Sequence, residues 1–139
     1  MIAKILVGYD GSPSSERALS FAIELAGRYG AQLHLVAVAR PPEFGDDVET
    51  EAVIEQSRRH IGHKLASARA RVEAAGLRGA FETAVGHPAE QIVRYAERNA
   101  IDHIVVGHRG HTLFDRWLIG SVARQVIAYA HCAVTVVRD

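Results

Sequence analysis

The chain has 139 residues, of which 48% are apolar and 23% charged, and its 16 basic residues balance 16 acidic ones. That length suits one domain whose core needs no disulfide or metal staple. With no basic surplus to neutralise a run of phosphates, nucleic acid is excluded as a first partner. The single Cys132 can form no intrachain disulfide and agrees with a reducing compartment. No segment reaches the ~18 uninterrupted apolar residues of a membrane span.

In chain order, residues 2–8 are an apolar, β-rich run. Lys4 interrupts it and it leads straight into Asp10, so it reads as a strand and not as a signal peptide. A soluble, cytoplasmic protein is the expectation. Ser12-Pro13 gives an N-cap followed by proline at the first helical position. The helix it opens has Ala18, Leu19, Ala22, Leu25 and Ala26 on its inner face, and Gly30 stops it. Residues 32–39 form a second β-rich run. Arg40–Thr50 is turn-rich and aperiodic, which reads as a surface connection, with a flexible cover over the carboxyl edge of the sheet as the alternative.

A second helical pattern carries Val53, Ile54, Ile61, Leu65, Ala68 and Val72 and ends at Gly76. A third strand falls near 80–85. A third helix starts at Pro88 and buries Ile92, Val93 and Ala96. Residues 103–107 and 133–137 are the last strands, with a helical pattern over Val122–Ala130 between them. Strands and helices in alternation, with unbroken apolar strands, specify an α/β domain with a parallel sheet covered on both faces. Its crossovers are right-handed.

Two glycine turns then stand out. Gly107-His-Arg-Gly110 follows the run Ile104-Val105-Val106, and Gly120-Ser121 opens the last helix after nine intervening residues. A glycine after a strand lets backbone approach a ligand with no Cβ in the way. A Gly-Ser pair at a helix start offers unpaired N–H groups, a hydroxyl and the positive end of the dipole, which suit a phosphate. Local roles are also open: Gly107 as a strand end, Gly110 as a turn residue, Ser121 as an ordinary N-cap.

Other chemistries lack their parts. Ser121 lies in Ile-Gly-Ser-Val-Ala, which is not a nucleophile elbow. Neither the dinucleotide fingerprint nor the Walker P-loop is present. Lys4 and Lys64 are the only lysines, and neither is near a glycine turn in the sequence. The pairs His60/His63 and His108/His111 have no evident third metal ligand. They read as solvated or loop histidines, with His108 or His111 a candidate phosphate contact. Without a P-loop lysine or a base to position water, binding is better supported than turnover.

The spacing Gly-x2-Gly-x9-Gly-Ser resembles the ATP-binding signature of the universal stress protein family. So do the opening Ile5-Leu-Val-Gly-Tyr-Asp10-Gly-Ser12, the segment Gly86-His-Pro88 and the closing Cys132-Ala-Val134-Thr-Val-Val137. The resemblance covers the chain as a single domain, 1–139. It implies a Rossmann-like open sheet of five parallel strands, order 3-2-1-4-5, with helices on both faces. Ligands in such sheets sit at the carboxyl ends of strands where the order reverses.

By the same resemblance the cofactor is ATP, alone or with Mg2+. Gly8 and Tyr9 would sit beside the base, where the Tyr9 ring would stack or crowd. Asp10 would contact the nucleoside and the Val38 backbone would read the adenine edge. Val106, Gly107, Arg109 and Gly110 would line ribose and phosphates, and Gly120, Ser121 and Val122 would hold phosphates through N–H groups. Ala123 stands where other members carry a hydroxyl. The implied function is that of an ATP-binding stress-response regulator acting through nucleotide-dependent association with a protein partner, as a homodimer through strand 133–137. Slow ATP hydrolysis, adenylyl transfer, and a dimeric interaction module with a vestigial site are the alternatives. ADP, AMP and cyclic AMP remain open as ligands.

Overall fold

The short apolar runs become strands and the period-3.6 stretches become helices. The computed structural model describes residues 2–40, 48–108 and 119–138, with only the backbone of 48–50. The described elements are β1 (Lys4–Tyr9), α1 (Pro13–Tyr29), β2 (Gln32–Ala39), α2 (Val48–Ala74), β3 (Gly79–Val85), α3 (Pro88–Arg98), β4 (His103–Gly107), α4 (Ser121–Tyr129) and β5 (Ala133–Val137). All pairings are parallel, in one sheet of order β3-β2-β1-β4-β5. The α/β architecture and strand order are those expected. Ile5 of β1 pairs with Leu33 of β2 on one side and with His103 of β4 on the other. The strand order reverses at β1.

Strand alternation divides the core into two layers. Ile5, Val7 and Tyr9 of β1 pack with Ala18, Leu19 and Ala22 of α1 and Leu65, Ala68 and Val72 of α2. Leu6, Val36, Ile104 and Val106 pack on the opposite face with Ile92, Tyr95 and Ala96 of α3 and Val126 of α4. Apolar side chains on both faces explain why the strands read as continuous runs and not as alternating ones.

The α1 boundaries follow the local chemistry. Ser12 caps the helix, its Oγ accepting the Ser15 N–H at 3.2 Å, and Pro13 follows. Gly30 ends it in the left-handed region at φ 65°. Other boundaries differ from expectation. Val48–Thr50, assigned to the surface connection, are helical, while residues 41–47 lie outside the described residues. Val93 is only half-buried, and Tyr95 takes the inner position instead. There the hydroxyl of Tyr95 meets Nδ1 of buried His34 at 2.8 Å, which gives an aromatic with a polar tip its partner. Burial and the nearby Lys4 charge hold His34 below the usual imidazole pKa. Val53 is 49% exposed although it was expected on the inner face. No position of α2 from Glu51 to Lys64 is fully buried.

Candidate functional site

The carboxyl ends of β1, β2 and β4 open into a cleft of about 700 Å³. Residues of α2 wall one side, and the first turns of α3 and α4 wall the other. Gly8, Tyr9, Asp10, Val38, Val106, Gly107, Gly120, Ser121 and Val122 all line it. Arg109 and Gly110 lie outside the described residues.

The turn after β1 is built by its own side chains. Asp10 Oδ1 accepts the Ser12 N–H at 2.8 Å, an Asx-turn, and the Asp10 N–H donates to Ser15 Oγ at 3.3 Å. Gly11 takes φ +78°, a conformation that L side chains rarely adopt. Lys64 of α2 lies across this turn: a Cβ at Gly11 would come within 2.9 Å of its Nζ. This neighbour is not visible in the sequence, where neither lysine is near a glycine turn. The two residues are far apart in sequence, and only the packing of α2 on β1 and α1 brings them together.

Tyr9 belongs to the core layer beneath α1 and α2. Its hydroxyl donates to Glu16, which is paired with Arg71, and Arg71 Nη2 also donates to Ser20 Oγ at 2.8 Å. Burial and the Glu16 carboxylate push the phenol pKa well up. The ring thus lies on the α1 and α2 face of the sheet, opposite α3 and α4, where it also lines the cleft.

Two motif glycines have packing reasons of their own. A Cβ at Gly8 would meet Ile92 Cδ1 at 2.5 Å, so the bare backbone lets α3 close on β1. A Cβ at Gly107 would meet the carbonyl carbon and oxygen of Ser14 at 2.7 Å, because the first turn of α1 crosses the end of β4. The local reading of Gly107 as a structural residue holds, alongside its place in the cleft.

The start of α4 differs from that of α1. Its N-cap is Gly120, at φ −60° and ψ 157°, and no side chain caps it; Ser121 is the first helical residue and not the cap. The Gly120 N–H already donates to the His108 carbonyl at 2.9 Å, so it is committed to the fold. The Arg124 N–H donates to the Gly120 carbonyl at 3.0 Å and opens the helical ladder. The amides of Ser121, Val122 and Ala123 therefore precede the ladder at the positive end of the dipole. His108 also donates its N–H to the Val137 carbonyl at 2.9 Å, tying the cleft to β5. Its side chain is 3% exposed and lines the cleft, and among the described residues its Nε2 meets no partner.

Sequence reasoning missed a further group of lining residues. Ser12, Ser15, Val36, Ala39, Arg40, Pro88 and Ile92 come from the same strand ends and helix starts. Val53, Gln56, Ser57, His60 and Ile61 come from one face of α2. Their spacing of three and four is visible in the sequence as a stripe, but what the stripe overlooks is not. Among the described lining residues Asp10 is the one carboxylate, while Arg40, His60 and His108 can carry positive charge. No group of three or more metal-ligating side chains converges among the described residues. Nor is any helix among them long and apolar enough to cross a membrane.

Comparison with known proteins places this geometry. Residues 1–138 match the universal stress protein family. Universal stress protein MJ0531 of Methanocaldococcus jannaschii is 35% identical over 97% of this chain and 81% of its own. Among solved structures, universal stress protein UspA from Lactobacillus plantarum superposes with a TM-score of 0.91 at 25% identity, covering 99% of this chain and 98% of that one. A universal stress protein from Archaeoglobus fulgidus in complex with dAMP superposes at 0.67 with 26% identity, covering 98% of each chain. The chain belongs to the universal stress protein family.

Proposed function

We propose that the cleft binds an adenine nucleotide, with ATP, alone or with Mg2+, as the first candidate. The observation that carries this reading is the uncapped start of α4, which turns the Ser121 and Val122 amides toward a cleft at the point where strand order reverses. The dAMP complex of the A. fulgidus relative supports a nucleotide as the class of ligand. In this reading the phosphates lie at α4, near the unpartnered Nε2 of His108, and Arg109 and Gly110 complete that end. The nucleoside lies toward Gly8, Asp10 and the Val38 backbone.

The role is regulatory: nucleotide occupancy alters association with a partner in the cytoplasm. Among its described residues the site offers the α4 amides and one carboxylate, and Asp10 commits an oxygen to its own turn. Such groups hold ground-state phosphates, and uniform binding does not accelerate chemistry. A homodimer through β5 completes the proposal, because β5 is an edge strand among the described residues, with half-buried Val134 and Val136. The test is mass spectrometry of the small molecule that co-purifies, followed by calorimetric titration with ATP, ADP, AMP and cyclic AMP. An empty protein that takes up none of the four overturns the reading.

A further inference from the structure

The length of α2 needs an explanation that the core does not supply. At ~1.5 Å per residue its 27 residues extend ~40 Å. The eight residues of β2, on which it packs, extend only ~26 Å at ~3.3 Å each. The excess lies at the N-terminal end. Fully buried positions of α2 begin at Leu65 and continue through Ala68 and Val72, and none occurs from Glu51 to Lys64. On this overhang Val53, Gln56, Ser57, His60 and Ile61 line the cleft. Ser57 and Ile61 continue the buried stripe, and Val53, Gln56 and His60 lie farther round the helix.

The sheet order says which end of a ligand this stripe would face. The helix dipole at α4, beyond β4, attracts the anionic end. The overhang stands beyond β2, on the other side of β1. Two strand spacings separate β4 from β2, about 9.6 Å. A flat heterocycle lying toward β2 would meet apolar Val36, Val38, Val53 and Ile61, with the amide of Gln56 and the hydroxyl of Ser57 at its edge.

We propose that the overhang of α2 is the base-reading wall of the cleft and that Gln56 selects adenine over guanine; this rests on the nucleotide reading above. Adenine presents a donor at N6 beside an acceptor at N7, and a glutamine amide matches that pair with its oxygen and its NH₂. Guanine presents two acceptors, O6 and N7, and leaves the amide oxygen facing an acceptor. A serine hydroxyl rotates to suit either base, so Ser57 does not discriminate. Reading of the other adenine edge by the Val38 backbone is compatible, because N6 carries two hydrogens.

The experiment is calorimetric titration of AMP and GMP, at one salt concentration, into wild type, Gln56→Leu and Gln56→Arg. AMP and GMP share the phosphate end, so their affinity ratio isolates the base. Gln56 is exposed on a helix and leucine and arginine are both good helix formers, so the variants fold. In Gln56→Leu the preference for AMP falls by about tenfold. In Gln56→Arg it shifts further toward GMP, because a guanidinium donates to both guanine acceptors. A ratio within threefold of wild type in Gln56→Leu overturns the assignment. Wild type that binds neither nucleotide overturns the nucleotide reading itself and this inference with it, and the first titration distinguishes that failure from the other.

Discussion

Substituting Gly107 by alanine separates the packing role of the motif's first glycine from a ligand-binding role. The new Cβ would lie 2.7 Å from the carbonyl carbon and oxygen of Ser14, where ordinary contact begins near 3.4 Å. These are backbone atoms at the first turn of α1 and have no flexible end to swing aside. Relief requires β4 and α1 to part by several tenths of an ångström, which strains the layer formed by Val105, Leu19 and Ala18. Overpacking of this kind costs about 1–3 kcal/mol. Disturbing the adjacent Ser12 cap adds about 0.5–2 kcal/mol if its bond to the Ser15 amide is lost. A total near 3 kcal/mol is expected. With an unfolding entropy of ~2.1 cal/mol/K per residue, a chain of this size loses about 10 °C in Tm. Scanning calorimetry of nucleotide-free protein, supported by urea denaturation, measures this directly. A Tm within 2 °C of wild type would refute the packing argument and leave ligand approach as the reason for Gly107.

Gly120 provides the contrast, since its φ of −60° suits any residue: Gly120→Val is expected to keep its Tm within a few degrees and to lose nucleotide binding in calorimetry, and equal affinity would displace the phosphate end from α4. His34 sits buried with its pKa held below 6.5 by desolvation and Lys4, so the unfolded chain binds its proton more readily. Stability is therefore full above pH ~6.5 and falls as pH drops toward the folded-state value. Urea unfolding at pH 7.5 and 5.5 should show a shallower loss in His34→Gln than in wild type, and identical slopes would exclude His34 as a source. Thr135→Pro removes a β5 amide and is expected to give a monomeric mass by light scattering where wild type gives a dimer; a monomeric wild type at micromolar concentration would dispose of the β5 dimer. Single-turnover hydrolysis of labelled ATP is expected below ~1 s⁻¹, and a rate of ~1–10³ s⁻¹ would make the protein an enzyme.

Much of the architecture is legible in the sequence because its determinants are local. Ser12-Pro13 and Gly30 bound α1 through a cap, a fixed φ and a left-handed residue, and each acts within a few positions. The inner strands β1, β2 and β4 are legible because both their faces are buried, which leaves runs such as Ile104-Val105-Val106 with nothing else to be. Tyr95 is not legible as a core residue. Its polar tip is tolerated inside only because His34, 61 positions away, accepts or donates to it. The same holds for Lys64 at the Gly11 turn and for Gly107 against Ser14. Each is a contact between residues that no local period relates.

The cleft shows the limit from the other side. Strand ends and helix starts contribute residues whose position along the chain follows from topology, so Gly8, Val38 and Val106 could be placed by knowing the strand order. The α2 stripe could not, because an amphipathic stripe announces only that it faces something. Leu65, Ala68 and Val72 face a sheet and Ser57 and Ile61 continue their stripe, whereas Gln56 and His60 line the cleft from positions farther round the helix. What brings them to the cleft is length: α2 outruns β2 at its N-terminal end. A helix whose first turns outrun the sheet is therefore informative once the partner strand is known. Local packing accounts for Gly107, whereas the backbone of Gly120 needs no glycine and its amide already has a partner in His108. The uncapped helix start behind Gly120 makes the start of α4 the place where a ligand should be sought first.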